Sequence, residues 1–183
     1  MEFVEPIRKI DDIYKMKKIL YEQSKRDYLF FVLGVNTGMR ISDLLQLRVK
    51  EVWDQENARE FFTPCENGNS YYLNYVVRSA LFNYLTQTSL TREDFLFKSK
   101  KNEFPITRQQ AYRIINKAAQ EAGVEGKIGT HTLRKTFGYH AYRKGIALSI
   151  LQKIFNHSTP SETLKYIGID IHTEEPIKVD VNL

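Results

Sequence analysis

Apolar residues along this chain recur mostly at helical spacing, which predicts a domain built of short helices. Residues 11–25 make an amphipathic stretch, with Ile13, Met16, Ile19 and Leu20 on one stripe. Asp27 to Val35 (DYLFFVLGV) is almost wholly apolar, the mark of a helix buried on every side. It ends at Asn36-Thr37-Gly38, where a glycine can take the left-handed conformation that closes a helix. Ser42 can then cap a short helix carrying Asp43, Leu44, Leu45 and Leu47. Between residues 49 and 75 the pattern changes. Val49–Trp53, Glu60–Thr63 and Ser70–Leu73 read as short strands, with Glu66-Asn67-Gly68-Asn69 as a hairpin turn. Helical spacing returns over Val76–Leu85. Thr107 and Gln110 form a capping box for a helix reaching Ala122, closed by Gly123. Thr130 can cap a helix from His131 to Lys144, closed by Gly145, and Leu148–Phe155 is a further short helix. Thr159-Pro160-Ser161-Glu162 opens the last one with a cap, a first-position proline and an early acid; it carries Tyr166 and stops at Gly168. The expected class is mainly α (α+β), with a small antiparallel three-stranded sheet inserted after the second helix.

Length and composition narrow the reading without naming a function. The 183 residues suit one domain, and 42% hydrophobic content supplies a core. Eleven tyrosines mean that residue type alone singles out none of them. Cys65 is the only cysteine, which excludes an intrachain disulfide and fits a reducing compartment. No apolar run reaches the length of a membrane span, and the start MEFVEPIRKIDD lacks a signal-peptide core. The expectation is a soluble cytoplasmic protein. The net charge of +5 is unevenly placed. Lys98, Lys100, Lys101, Arg108, Arg113 and Lys117 face a single acid, Glu103, in their segment. Arg134, Lys135, Arg143, Lys144 and Lys153 follow with no acid among them, whereas the tail after Ile167 is acidic. Two basic segments flanking a His/Arg motif fit a phosphate-binding surface.

Three local motifs carry the chemistry. In Thr130-His131-Thr132-Leu133-Arg134 the histidine and arginine are three apart and share a helix face. Arginine presents a fork that matches two phosphoryl oxygens. In Thr37-Gly38-Met39-Arg40-Ile41-Ser42-Asp43 an arginine follows a glycine turn and opens a helix, with Asp43 placed to orient a basic group. In Phe155-Asn156-His157-Ser158-Thr159-Pro160 a loop histidine precedes Tyr166 by nine residues, a separation set by the capped helix. Alone, each motif has a plainer reading: a surface arginine beside a capping-turn histidine, a solvated Arg–Asp pair, a core tyrosine.

Taken in order, the three resemble the signature of the tyrosine recombinases, the phage integrase family that shares its catalytic fold with type IB topoisomerases. That signature runs from an arginine after T-G-x-R, through H-x-x-R, to a late histidine and a tyrosine. These fall on Arg40, His131, Arg134, His157 and Tyr166, and the resemblance covers roughly residues 5 to 168. It implies a site-specific DNA recombinase or integrase. Tyr166 would attack the scissile phosphorus, giving a 3′-phosphotyrosyl link and a free 5′-hydroxyl, and a second 5′-hydroxyl would reverse the step. Such chemistry conserves bond energy and needs no metal, nucleotide or other cofactor. Arg40 and Arg134 would clamp the non-bridging oxygens, His131 would accept the tyrosine proton, His157 would hydrogen-bond the phosphate, and Asp43 would support the site. Lys98, Lys100, Lys101, Arg108 and Lys135 are the candidate DNA contacts. The implied partners are double-stranded DNA and further copies of the chain on it, with no membrane and no small-molecule substrate.

The sequence also departs from the family pattern. The family's general acid is a hairpin lysine within K-T-G-K; here the turn reads Cys65-Glu66-Asn67-Gly68-Asn69, with Glu66 where lysine is expected. Lys50, Lys98 or Lys100 could substitute. Phe155-Asn156 stands in place of Leu-Gly before His157. Residues 1–168 are expected to form the catalytic domain without a preceding core-binding domain, and 169–183 a tail that can dock on a neighbouring protomer. Two other readings stay open: a DNA-binding remnant or regulator of the same fold, and an unrelated helical metal or nucleotide protein. Against the latter, His131, His140, His157 and His172 lack close ligand spacing, and no glycine-rich phosphate loop is present.

Overall fold

A computed structural model of the chain describes residues 4–64 and 69–170. In order, the described elements are α1 (Ile10–Gln23), α2 (Lys25–Thr37), α3 (Ile41–Gln46), α4 (Val49–Val52), β1 (Trp53–Asp54), β2 (Asn57–Ala58), β3 (Phe61–Phe62), β4 (Tyr71–Tyr72), α5 (Tyr75–Leu85), α6 (Arg108–Ala122), α7 (Thr132–Arg143), α8 (Leu148–Phe155) and α9 (Pro160–Ile167).

The helix α2 forms because its run Leu29-Phe30-Phe31-Val32-Leu33 can be apolar all round. All five side chains are buried, enclosed by α1, α5 and α7. Each such side chain contributes about 1.5–3 kcal/mol on burial, so this run anchors the domain. The Ser24 side chain caps its start by accepting the Asp27 N–H, and Gly38 at φ +65° ends it. Capping also sets α6 and α9. Thr107 and Gln110 satisfy each other's backbone N–H groups, and Thr159 accepts from Glu162 N–H behind Pro160.

Three expectations need correction. The sheet is not one three-stranded unit: among the described residues there are two antiparallel pairs, β1–β2 and β3–β4. Val49–Val52 is a single helical turn rather than a strand, because the Glu51 carboxylate accepts the Arg48 N–H at 2.7 Å. The chain then doubles back at Gln55, whose φ is +51°, so Trp53 pairs with Ala58. The helix caps also shift. Arg40 rather than Ser42 is the N-cap residue of α3, and His131 rather than Thr130 that of α7. Cys65, Glu66, Asn67 and Gly68 of the expected hairpin turn, and His172 with the rest of the tail from Ile171, lie outside the described residues.

Two buried clusters result. The larger runs from Ile7 through α1–α6 to Leu133 at the start of α7. The smaller consists of Leu151, Phe155 and Ile167, flanked by Phe137, Ala141 and Tyr142 of α7. Gly138 makes the second cluster possible. A Cβ there would lie 2.5 Å from Ile167 and 2.7 Å from Phe155, so only glycine lets α8 and α9 pack this close to α7.

Candidate functional site

The site assembles where the end of α2, the start of α7 and the α8–α9 pair meet. Gly38 turns the chain so that Met39 enters the core and Arg40 stays exposed at the mouth of α3. A Cβ on Gly38 would meet the Phe137 ring at 2.4 Å, which ties this turn to the side of α7. Arg134 is buried, and its guanidinium is held from two directions. It donates to the Gly38 carbonyl and, at 3.2 Å, to the Ile154 carbonyl of α8. It also lies 4.7 Å from the centroid of the Phe155 ring. Arg134 therefore cross-links the glycine turn to the C-terminal helices. Burial pushes its pKa down, and the Arg40 charge adds to that, while the charges of Tyr166 and Asp43 oppose it.

Tyr166 is half-buried on α9, with its hydroxyl within hydrogen-bonding reach of Arg134. Its ring sits 5.2 Å from Phe155 and 5.0 Å from the His157 imidazole. Burial raises the phenol's pKa, and the Arg134 charge and hydrogen bond, with Arg40 behind them, pull it back down. His157 is oriented by its Nδ1, 3.0 Å from the Thr163 hydroxyl one turn into α9. Desolvation lowers its pKa, Glu162 raises it, and Arg134 and Arg40 lower it. His131 stands exposed at the N-terminus of α7. Partial desolvation, followed by the charges of Arg108, Lys135, Arg134 and Arg40, lowers its pKa below the ordinary imidazole value, which favours the neutral form.

Two cavities flank the arginine pair. A small one of about 60 Å³ is lined by Arg40, Ser42, Arg108, Thr130, His131 and Arg134. A larger one of about 260 Å³ is lined by Arg40, Asp43, Asn69, Tyr71, Arg134, Lys153, Ile154 and Asn156. Both cavities share Arg40 and Arg134; His131 lines the first and Lys153 the second. Asp43 is half-buried and accepts from the Ser42 hydroxyl at 3.3 Å.

The structure thus brings together Arg40, Asp43, His131, Arg134, His157 and Tyr166. Of the candidate DNA contacts, Arg108 joins the cavity with His131. Lys101 is exposed on the loop before α6. Lys98 pairs with Asp94 at 2.9 Å and with Glu103. With Lys100 it lines a separate cavity beside Ser24 and Arg26 at the start of α2. Arg40 lies past the other end of α2, about 20 Å away along 13 residues. Lys135 is buried and donates to the Val4 carbonyl at 2.9 Å, with its Nζ 5.2 Å from the centroid of the Tyr166 ring. Its place is beside the Tyr166 ring and the N-terminal segment rather than on an exposed face. The segment Val4–Arg8 straps this side further: Thr136 Oγ1 accepts from Ile7 N–H at 2.9 Å, and Arg8 donates to the Gly168 carbonyl at 3.1 Å. Sequence reasoning missed Thr163, Asn69, Tyr71, Lys153 and Asn156 at the site. Lys153 was visible only as the last member of the acid-free basic segment that begins at Arg134.

Among the described residues no group of three or more His, Cys, Asp or Glu side chains is arranged to hold a metal ion. Nor, among them, is any helix long and apolar enough to cross a membrane.

The chain matches the model of the phage integrase family over residues 8–172. The probable integrase/recombinase YoeC of Bacillus subtilis (strain 168) is 40% identical over 173 residues, 94% of each chain. A tyrosine recombinase of Pseudothermotoga lettingae is 30% identical over 148 residues, 80% of this chain and 51% of that one. The chain therefore spans nearly all of the first relative and about half of the second. The crystal structure of XerA recombinase superposes with a TM-score of 0.76 at 21% identity, over 93% of this chain and 63% of that one. XerH site-specific recombinase bound to palindromic difH substrate gives 0.70 at 19% identity, over 94% and 52%. At those identities the two structures speak for the fold. The family match over most of the chain and the extent of the YoeC similarity decide the matter: this chain belongs to the phage integrase family of tyrosine recombinases.

Proposed function

We propose that the chain cuts and rejoins double-stranded DNA as a site-specific recombinase, through a 3′-phosphotyrosyl intermediate on Tyr166. The observation that carries this is the Tyr166 hydroxyl within reach of a buried Arg134, which lines one cavity with an exposed Arg40 and His131. Tyr166 Oη attacks phosphorus in line and its proton passes to His131. Arg40 and Arg134 stabilise the charge that grows on the non-bridging oxygens. His157, oriented by Thr163, donates to the phosphate. Arg108 and Lys101 contact the neighbouring backbone. Residues 1–168 are the catalytic unit, which acts on cytoplasmic DNA as an oligomer, with the tail from 169 docking on a neighbouring copy.

The leaving-group side is the weaker one. Glu66 stands where the family places its lysine acid, and a carboxylate beside a phosphate repels it. General acid catalysis is worth about 10²–10⁴-fold, so cleavage of intact DNA is slow relative to a substrate with a 5′-bridging sulfur, which leaves without a proton. Of the lysines considered as substitutes, Lys50 is paired with Glu93 at 2.6 Å and Lys98 with two carboxylates.

The test is covalent trapping from a pool of nicked duplexes with a randomised arm beside the nick. A protein–DNA adduct in the parent chain, absent in Tyr166→Phe, is the expected result. Salt-sensitive binding without any adduct would replace this reading with a DNA-binding regulator of the same fold.

A further inference from the structure

The reaction just proposed needs a proton for the departing 5′-oxygen, and we infer that Lys153 of α8 supplies it. This inference rests on the recombinase reading of the same site. Lys153 lines the cavity of about 260 Å³, which shares Arg40 and Arg134 with the smaller cavity lined by His131 but does not itself include His131. That division suits a two-ended displacement, in which the attacking oxygen sheds a proton and the leaving oxygen gains one at the opposite end. Asn69 and Tyr71, just before and at the start of β4, line the same cavity. Apart from the two arginines, Lys153 is the one cation among the described residues lining it.

The lysine sits on a fixed support. It lies in the last turn of α8, next to Ile154, whose carbonyl accepts from Arg134 at 3.2 Å. Phe155, the residue after Ile154, is buried, with the Arg134 guanidinium 4.7 Å from its ring centroid. Anything that places Arg134 on a phosphate therefore places the root of Lys153 beside it. The side chain itself is exposed, so its stem can reach across the cavity mouth. Guanidinium groups hold their protons too tightly to act as the acid, whereas an ammonium can release one. In the step, the Tyr166 Oη–phosphorus bond forms and the phosphorus–O5′ bond breaks. The tyrosine proton goes to His131, and an ammonium proton of Lys153 goes to O5′, leaving a neutral amine and a 5′-hydroxyl. In rejoining, the amine takes that proton back.

The test uses the full chain and a nicked duplex recovered from the randomised pool, made with either oxygen or sulfur at the bridging 5′ position. For Lys153→Ala, cleavage of the oxygen substrate should fall about 100-fold, the low end expected for loss of a general acid. Cleavage of the sulfur substrate should stay near that of the parent chain, which also shows the variant to be folded. An equal loss on both substrates would make Lys153 a DNA contact only and overturn the inference. So would unchanged cleavage of the oxygen substrate. If the parent chain forms no adduct on even the sulfur substrate, the recombinase reading fails first and the role of Lys153 with it. Lys153→Arg separates charge from acidity: it should bind DNA like the parent yet cleave the oxygen substrate as poorly as Lys153→Ala.

Discussion

Arg40, His131 and Arg134 grow out of the large core, whereas His157 and Tyr166 ride on two helices whose own buried centre is Leu151, Phe155 and Ile167. The first group is held by whole helices packed on α2. The second is held by three buried side chains, the Arg134 bridge to Ile154, the close approach at Gly138 and the Val4–Arg8 strap. The difference suggests a division of labour. The proposed phosphate cradle is built into the larger core, and the proposed nucleophile is attached by few contacts, on the part expected to open first.

Hollowing the large core breaks the contrast most severely. Leu133 is fully buried, so Leu133→Ala should lower global stability by about 2–5 kcal/mol, read as a lower urea midpoint. Every helix should lose protection together. A smaller effect is expected on the other side. Gly138→Ala forces a methyl against Ile167 and Phe155, at about 1–3 kcal/mol of overpacking. Hydrogen exchange should then speed up in α8 and α9 while α2 keeps its protection, and adduct yield should fall more than the melting temperature does. Equal acceleration throughout would show that the two cores are one cooperative unit. Thr163→Val removes the partner of His157 Nδ1, worth about 0.5–1.5 kcal/mol, and should lower cleavage rate with little change in DNA affinity.

The mildest probe is pH. His131 is held below the ordinary imidazole value by desolvation and four neighbouring cations. A lowered pKa keeps the neutral, proton-accepting form in place through neutral pH. The acid limb of kcat/KM should therefore fall below about 6.5, not at or above it. An acid limb centred above 6.5 would assign it to another group.

How much of this was legible in the sequence follows from how local each cause is. The capped helices α6 and α9 read correctly because Thr107, Gln110, Thr159 and Pro160 act within one turn. Gly38 marked the end of α2 for the same reason. The family was legible through the order of Arg40, His131, Arg134, His157 and Tyr166 along the chain, not through any one motif. Elements decided by distant partners were misread. Val49–Val52 has β-branched residues that suit a strand, yet the Glu51 cap and the pairing of Arg48 with Phe95 fold it into a turn of helix. Lys135 looked like a DNA contact, but its partner is the carbonyl of Val4, 131 residues earlier. Lys98 read as a candidate DNA contact or substitute acid, and it is paired with Asp94 and Glu103. Lys153 gained its place only when Arg134 bound the carbonyl of its neighbour Ile154.

The central claim is that, of eleven tyrosines, Tyr166 forms the bond to DNA. The direct measurement is mass spectrometry of the trapped adduct after nuclease and protease digestion, which locates the nucleotide-bearing residue. The account predicts the nucleotide on Tyr166 alone. A nucleotide on Tyr71, Tyr139 or any other tyrosine, or an adduct that persists in Tyr166→Phe, would contradict it.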